Sequence, residues 1–303
     1  MMSLPTPQKP PADFLNIAHR GARAFAPENT LAAFQKAKTF ACQLFEMDVH
    51  LSKDGELMVH HDEQLTRCTD VTAKFPDRTS YYIWDFTYEE LNTLDAGNWY
   101  IEQLSLPYTQ RQEFLQTLTD DELARFVSPQ DRMHYASGNI KLPTLKQTLE
   151  FARHADMMVN IELKTQPNMM TELAEKVVKL VEGMNMEHQV LISSFTHDEL
   201  QKVRQLTKTI AIAVLTDDSI ENLNNYLQLL DARAYHPNCY GDRDATGRRK
   251  LNLDDIATAR EGGRHVNAWT CNNKDDMRHL IAAGVTGLIS DFPNRVQDVL
   301  MAY

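Results

Sequence analysis

The sequence predicts an α/β chain folded as a (β/α)8 TIM barrel, with a β-hairpin after the second strand and an inserted subdomain. Three observations lead there. Eight short apolar runs, NIAHRG, FEMDV, NIELK, LISSF, IAVL, AYHP, NAWT and GLISD, have strand length and are separated by helical patterns; eight parallel strands close such a barrel. Polar residues end successive runs, namely His19, Asp48, Glu162, Ser194, His236, Trp269 and Asp291, and a barrel gathers such residues at one face, where its sites form. The rival, an open doubly wound sheet, wants a glycine-rich phosphate turn after the first strand. HRGARAFAPENT has no GxGxxG, and no Walker A pattern occurs anywhere.

Residues 1–14 read as a Pro-rich tail and 15–303 as one domain, with an insertion at about 66–142. The first strand, Leu15–Gly21, is followed by a helix that Asn29 or Thr30 can cap, with Leu31, Phe34 and Ala37 on one face. Phe45–Asp62 then reads as a hairpin turning at Asp54-Gly55. A two-residue turn there sets Asp48 opposite His61, with Glu46 and Asp48 on one face and Phe45, Met47 and Val49 on the other.

Within the insertion, Thr87 and Glu90 form a capping box in FTYEEL, and Ile101–Asn139 is aromatic, polar and non-repeating. One helix is expected over Glu113–Val127. Thr144 with Gln147 starts another that runs through His154. Regular alternation follows. Strands are expected at Met158–Lys164, Val190–Phe195, Ile210–Leu215, Ala232–Pro237, His265–Thr270 and Gly287–Asp291. Helices are expected at Met170–Gly183, Thr196–Leu206, Ser219–Leu230, Leu253–Glu261 and Lys274–Ala283, the last closed by Gly284, and a final one starts near Pro293. Thr196 with Glu199 reads as a second capping box, with Phe195 and Leu200 as its staple.

Composition bounds the function classes. The 303 residues are 43% hydrophobic and 24% charged, ordinary for a globular chain. A net charge of −11 without any basic run argues against a nucleic-acid partner and against electrostatic adhesion to anionic membrane. No run of about 18 apolar residues offers a transmembrane segment. Cys42, Cys68, Cys239 and Cys271 form no CxxC and read as free thiols in a reducing compartment. The N-terminus has no apolar leader core, so a cytoplasmic location is expected.

Glu46, Asp48 and Glu162 would meet from neighbouring strands. Three such carboxylates cannot all stay ionised without counter-charge. A divalent cation together with Lys164 balances them, and an all-oxygen set suits Mg2+ or Ca2+. His50 and His60 lack a clear zinc spacing.

His19-Arg20-Gly21, then Pro27-Glu28-Asn29-Thr30, then Glu46-Met47-Asp48, then His61-Asp62 with Leu65 and Arg67, then Glu162-Leu163-Lys164 form one ordered constellation. It resembles the glycerophosphodiester phosphodiesterase family, a branch of the phosphatidylinositol phospholipase C-like barrels, from about Asn16 to the C-terminus. The resemblance implies a metal-dependent phosphodiesterase that hydrolyses glycerophosphodiesters to sn-glycerol 3-phosphate and an alcohol, with Glu46, Asp48 and Glu162 on the metal.

A phosphodiester needs an activated attacking oxygen and a protonated leaving oxygen, and imidazole serves both near neutral pH. His19 and His61 are the expected acid and base; the sequence leaves their order open, with His19 as base and His61 as acid the preferred reading. Arg20, Lys164, Glu28 and Trp269 are the expected substrate contacts, with His236, Phe195 and Asp291 as weaker candidates. His134, His154, His188, His197 and His279 read as surface. Cys68, where the family usually has threonine, and the long insert are departures that bear on the alcohol. The alternative activity is lysophospholipase D-like or sphingomyelinase D-like. It needs an apolar entrance, for which the insert offers Tyr100, Tyr108, Phe114, Phe126 and Tyr135. A binding protein without catalysis is disfavoured by retention of both histidines and all three carboxylates.

Overall fold

A computed structural model describes residues 10–165, 172–243 and 249–303. Most of the expected tail and the first residues of the helix expected at Met170 lie outside them. The strands are β1 (Leu15–Ala18), β2 (Leu44–Leu51), β3 (Leu57–Val59), β4 (Met158–Leu163), β5 (Val190–Ser194), β6 (Ala211–Thr216), β7 (Ala234–Pro237), β8 (Tyr240–Arg243), β9 (Arg249–Leu251), β10 (His265–Ala268) and β11 (Gly287–Ser290). Parallel pairing runs β1-β11-β10-β7-β6-β5-β4-β2, and β2 returns to β1, which closes the eight-stranded (β/α)8 barrel. β3 pairs antiparallel with β2, so ELMVHHD is the return arm of a hairpin and not a barrel strand. β8 and β9 form a small separate ribbon that the strand count did not anticipate.

Strand alternation sorts the core into two parts. Phe45, Met47 and Val49 face the helices and join the main cluster, where Phe34 stacks on Phe45 at 4.3 Å between ring centroids. Burying each such side chain contributes roughly 1.5–3 kcal/mol. A separate small cluster, Ile17, Leu44 and Ile289 with Leu15, Met158 and Trp269, belongs to the opposite faces, which fill the barrel interior. Leu44, Glu46 and Asp48 therefore climb one inner face of β2, apolar at the bottom and acidic at the mouth. Every residue of β2 is buried, so its two carboxylates have no solvent to lean on.

The hairpin register differs from the expected one. Val49 pairs with Val59 and Leu51 with Leu57, so Asp48 stands opposite His60, whose N–H donates to the Asp48 carbonyl at 3.0 Å. The cause is the turn. Ser52 and Glu56 still bond (2.9 Å), and Gly55 takes φ +81°, giving a three-residue loop with a left-handed third residue. His61 thus reaches the site from beyond the strand.

Other corrections are local. Leu31 is 40% exposed, and Ala33 joins Phe34 and Ala37 on the buried face. The helix expected over 113–127 is a 3-10 turn, Glu113–Thr117, and a helix, Asp120–Phe126, because Thr119 caps the second with Glu122 as its box partner. Thr196 makes no capping box: its hydroxyl pairs with Thr165 (2.9 Å), and Glu199 turns to Lys202 (2.6 Å). Phe195 packs edge-on against Trp269. The helix expected from Ser219 spans Leu223–Leu229. The boxes at Thr87/Glu90 and Thr144/Gln147 form as expected. Helices Asn98–Ser105 and Pro129–Tyr135 went unread, the second despite Ser128, Pro129 and Asp131 at its start.

Candidate active site

The first strand ends in the loop that builds the site. Gly21 has φ +78°, and a Cβ there would meet Ala33 at 2.6 Å, so only glycine lets this loop lie against helix Leu31–Thr39. Each polar residue of Pro27-Glu28-Asn29-Thr30 has a task. Thr30 caps that helix through Ala33 N–H (3.3 Å). Asn29 donates its amide to Asp48 Oδ2 (2.8 Å). Glu28 accepts from Arg20 (2.9 Å) and Arg67 (2.6 Å) and pairs with Arg23 (3.3 Å). It is only 4% exposed, so it holds the loop and does not reach the rim.

The β2–β4 register sets Asp48 beside Glu162, with Glu46 one pleat deeper. One oxygen from each of Glu46, Asp48 and Glu162 lies within 4.8 Å of the others, and all three residues are buried. Arg20 N–H donates to Glu46 Oε2 (2.8 Å), and the Arg20 guanidinium stands 3.5 Å from Asp48. Lys164 Nζ lies 2.5 Å from Glu162 and 3.1 Å from Asp48. Two cations thus face three carboxylates, one more than the charge balance drawn from the sequence.

The deficit shows in the ionisation. Burial, then Asp48 and Glu162, hold Glu46 well above the usual carboxylate range. Glu162 is pushed up to about 7, chiefly by burial. Burial alone would also raise Asp48, but Lys164, His61 and Arg20 hold it below the usual range. Among the described residues, the buried Glu46 Oε1 has no hydrogen-bond partner. This donor set fits a hard divalent cation, which would supply the missing positive charge.

The two histidines flank the carboxylates. His19 Nε2 lies 3.9 Å from Glu46 Oε2. His61 is close enough to Asp48 for their charges to interact. Each turns Nδ1 to a carboxylate: His19 to Asp291 (2.7 Å) and His61 to Asp62 (2.6 Å). Each carboxylate is gripped by an arginine, Asp291 by Arg23 (2.5 Å) and Asp62 by Arg67 (2.6 Å). Both arginines end on Glu28. His19-Asp291-Arg23-Glu28-Arg67-Asp62-His61 is one continuous chain. Burial, then the Arg23 charge, pushes His19 down to about 4. Burial also lowers His61, whose side chain is 30% exposed against 12% for His19.

The remaining predicted residues divide. Trp269 sits at the mouth with its indole N–H donating to the His236 carbonyl (2.8 Å), its ring meeting the 42% exposed Phe195. His236 is not at the mouth: it is fully buried and pairs with Asn267 inside the barrel (2.9 Å). His50 and His60 donate to the backbone carbonyls of His61 (3.0 Å) and Gln64 (3.3 Å), which fixes the segment carrying His61. Four of the insert aromatics are spent on packing. Tyr100 and Tyr135 are buried against each other, Phe126 packs on Phe25 and Phe40, and Phe114 covers Arg23. Arg23 and Gln112 carry no sequence signal of their own, since neither lies in one of the five motifs. Asp62 and Arg67 were in view as motif residues without a task.

The model of the Glycerophosphoryl diester phosphodiesterase family matches residues 19–295. The chain is 31% identical over 280 residues to a glycerophosphodiester phosphodiesterase of Bacillus altitudinis, covering 92% of this chain and 95% of that protein. It is 29% identical over 279 residues to one from Caldanaerobacter subterraneus subsp. tengcongensis, covering 92% and 94%. Its fold matches an Oleispira antarctica phosphodiesterase solved in complex with the product sn-glycerol-3-phosphate, with a TM-score of 0.72, 24% identity, and 94% and 96% of the two chains covered. A whole-chain barrel, the five motifs brought to one mouth and these matches agree: the chain belongs to the glycerophosphoryl diester phosphodiesterase family and is a phosphoric diester hydrolase.

Proposed function

We propose that this enzyme hydrolyses glycerophosphodiesters to sn-glycerol 3-phosphate and an alcohol. Glu46, Asp48 and Glu162 hold a divalent cation, Mg2+ or Ca2+, with His19 as general base and His61 as general acid. One observation carries the reading: three buried carboxylates share a point at the barrel mouth, beside an imidazole 3.9 Å from Glu46 and another within the field of Asp48. A cation bound there supplies positive charge for the phosphate oxygens.

The outer contacts support imidazole proton transfer at both residues, and their unequal exposure favours this order of roles. With Nδ1–H committed to Asp291, neutral His19 keeps its lone pair on Nε2, facing the Glu46 side. It takes the proton of the attacking oxygen: water, which gives sn-glycerol 3-phosphate directly, or the glycerol 2-hydroxyl, which gives a cyclic phosphate that water then opens with the two histidine roles exchanged. His61 is the more exposed imidazole, so its charged form is easier to hydrate. Its Nε2–H goes to the departing alcohol oxygen while Nδ1–H stays on Asp62. Lys164 and Trp269 contact the substrate, Arg20 adds positive charge beside Asp48 for the phosphate, and Glu28 acts behind Arg20. Residues 15–303 act as one catalytic domain with 66–142 inserted in it. The four free buried thiols support a cytoplasmic setting, and among the described residues no helix is long and apolar enough to cross a membrane.

An acylated lyso-substrate would need the apolar entrance that Tyr100, Phe114, Phe126 and Tyr135 do not supply. The test is glycerophosphocholine turnover by His19→Ala and His61→Ala. Each should lose at least ~100-fold, and retention within about tenfold of wild type would remove the acid–base assignment. A panel of deacylated and acylated diesters assayed with Mg2+, Ca2+ or Mn2+ after chelation identifies the alcohol and the ion. Activity undiminished by chelation would end the metal role.

A further inference from the structure

We propose that the insert is a brace for proton transfer, in which Gln112 and Phe114 are positioning residues that hold Arg67 and Arg23 and, through them, the two histidines. The inference rests on the acid–base reading above.

Gln112 Oε1 accepts from Arg67 Nη1 at 3.0 Å. Two residues on, the Phe114 ring lies 4.1 Å from the Arg23 guanidinium carbon, a cation–π contact. One short turn therefore touches one arginine of each histidine chain. The turn itself is fixed on both sides. Gln112 N–H donates to Gln103 Oε1 (2.7 Å), and Arg295 Nη2 donates to the Thr117 carbonyl (2.6 Å). Arg295 also holds Glu122 (2.6 Å), which ties the insert to the last helix, Pro293–Leu300.

The arginines need such a brace. Arg67 is 28% exposed at its side chain and reaches Asp62, Glu28 and Gln112 at once. Released from Gln112, it gains freedom to rotate toward water. Asp62 then loses the cation that sets its orientation, and His61 loses its fixed carboxylate. The same logic joins Phe114 to Arg23, Asp291 and His19.

The test uses the full chain with Gln112→Leu, Gln112→Glu, Phe114→Leu and Phe114→Tyr, assayed on glycerophosphocholine and on a diester with a 4-nitrophenol leaving group. Gln112→Leu should lower kcat on the natural alcohol about tenfold, the size seen when an outer partner of a site residue is removed. KM should stay within about twofold, because substrate contacts are untouched. The loss should vanish on the nitrophenyl diester, whose leaving oxygen needs no proton. Gln112→Glu keeps the acceptor and should restore kcat. Combined with His61→Ala, Gln112→Leu should cost nothing further, whereas independent effects would add.

Phe114→Leu should lower kcat on both diesters and cost nothing further on top of His19→Ala, with Phe114→Tyr as its rescue, so the brace stays testable if one variant fails to fold. Equal losses with and without the histidine, or a raised KM at unchanged kcat, overturn the brace and make the insert a substrate contact. If His61→Ala and His19→Ala themselves leave turnover intact, the acid–base reading has failed and the brace falls with it.

Discussion

The two histidines stand in mirrored settings built from opposite kinds of sequence. His19 is oriented by Asp291, 272 positions away, and closing the barrel between β1 and β11 brings the two together. His61 is oriented by the next residue, Asp62, and the hairpin alone supplies the pair. The Asp291 side chain is 1% exposed and also held by Asn272 (2.7 Å). The Asp62 side chain is 27% exposed. One imidazole depends on the whole fold, and the other on a short local segment plus Gln112, which touches Arg67 behind it.

The comparison is tested first at the histidines. On glycerophosphocholine both alanine variants should fall by roughly 10²–10⁴, but on a 4-nitrophenyl diester only His19→Ala should stay low. Recovery of both, or of neither, breaks the assigned asymmetry. Next come the carboxylates. Asp291→Asn removes the buried charge shared by His19 and Arg23, leaving Arg23 only Glu28 at 3.3 Å, and should lower stability by about 3–5 kcal/mol, with turnover down roughly tenfold or more. Asp62→Asn should cost no more than about 1 kcal/mol, since its pairs are wetter. Thermal melts of the two that coincide would erase the distinction.

A third test concerns the tie that holds the insert. Arg295, Asn294 and the Thr119 N–H outweigh the burial that would raise Glu122, and hold it down to about 2. A depressed carboxyl stabilises the fold fully above its ordinary value of 4.5 and loses that contribution as pH falls through about 2. Wild type should therefore lose its melting advantage over Glu122→Gln on acidification across that window. A constant difference in Tm would deny the linkage. The smallest effect is expected at Cys68, which is buried next in sequence to Arg67. Cys68→Thr should keep kcat within about twofold.

Much of this was legible in the residues. The barrel was readable because eight apolar runs alternate with capped helical segments, and period-two patterning in FEMDV already separated acids from core. Asp48, Glu46 and Glu162 were readable as a group because their strands end alike. The hairpin register was not readable, because Asp-Gly, the usual mark of a two-residue turn, also fits a three-residue loop whose last residue is left-handed. His236 misled for a related reason. A polar residue near a strand end can face the mouth or be satisfied inside, and only Asn267 on the neighbouring strand decides. The helix over 113–127 misled because its leucines are buried whether or not Thr119 breaks it.

The sequence by itself determined the fold class and grouped Glu46, Asp48 and Glu162 with His19 and His61 as candidates, because strand patterning and the ordered motifs that resemble the family carry that information. Tertiary structure alone decided which groups sit behind them. Arg20 beside Asp48, Arg23 and Arg67 meeting on Glu28, and Gln112 on Arg67 all join residues with no periodic relation. The physical reason is that buried charge must find counter-charge wherever the fold brings it.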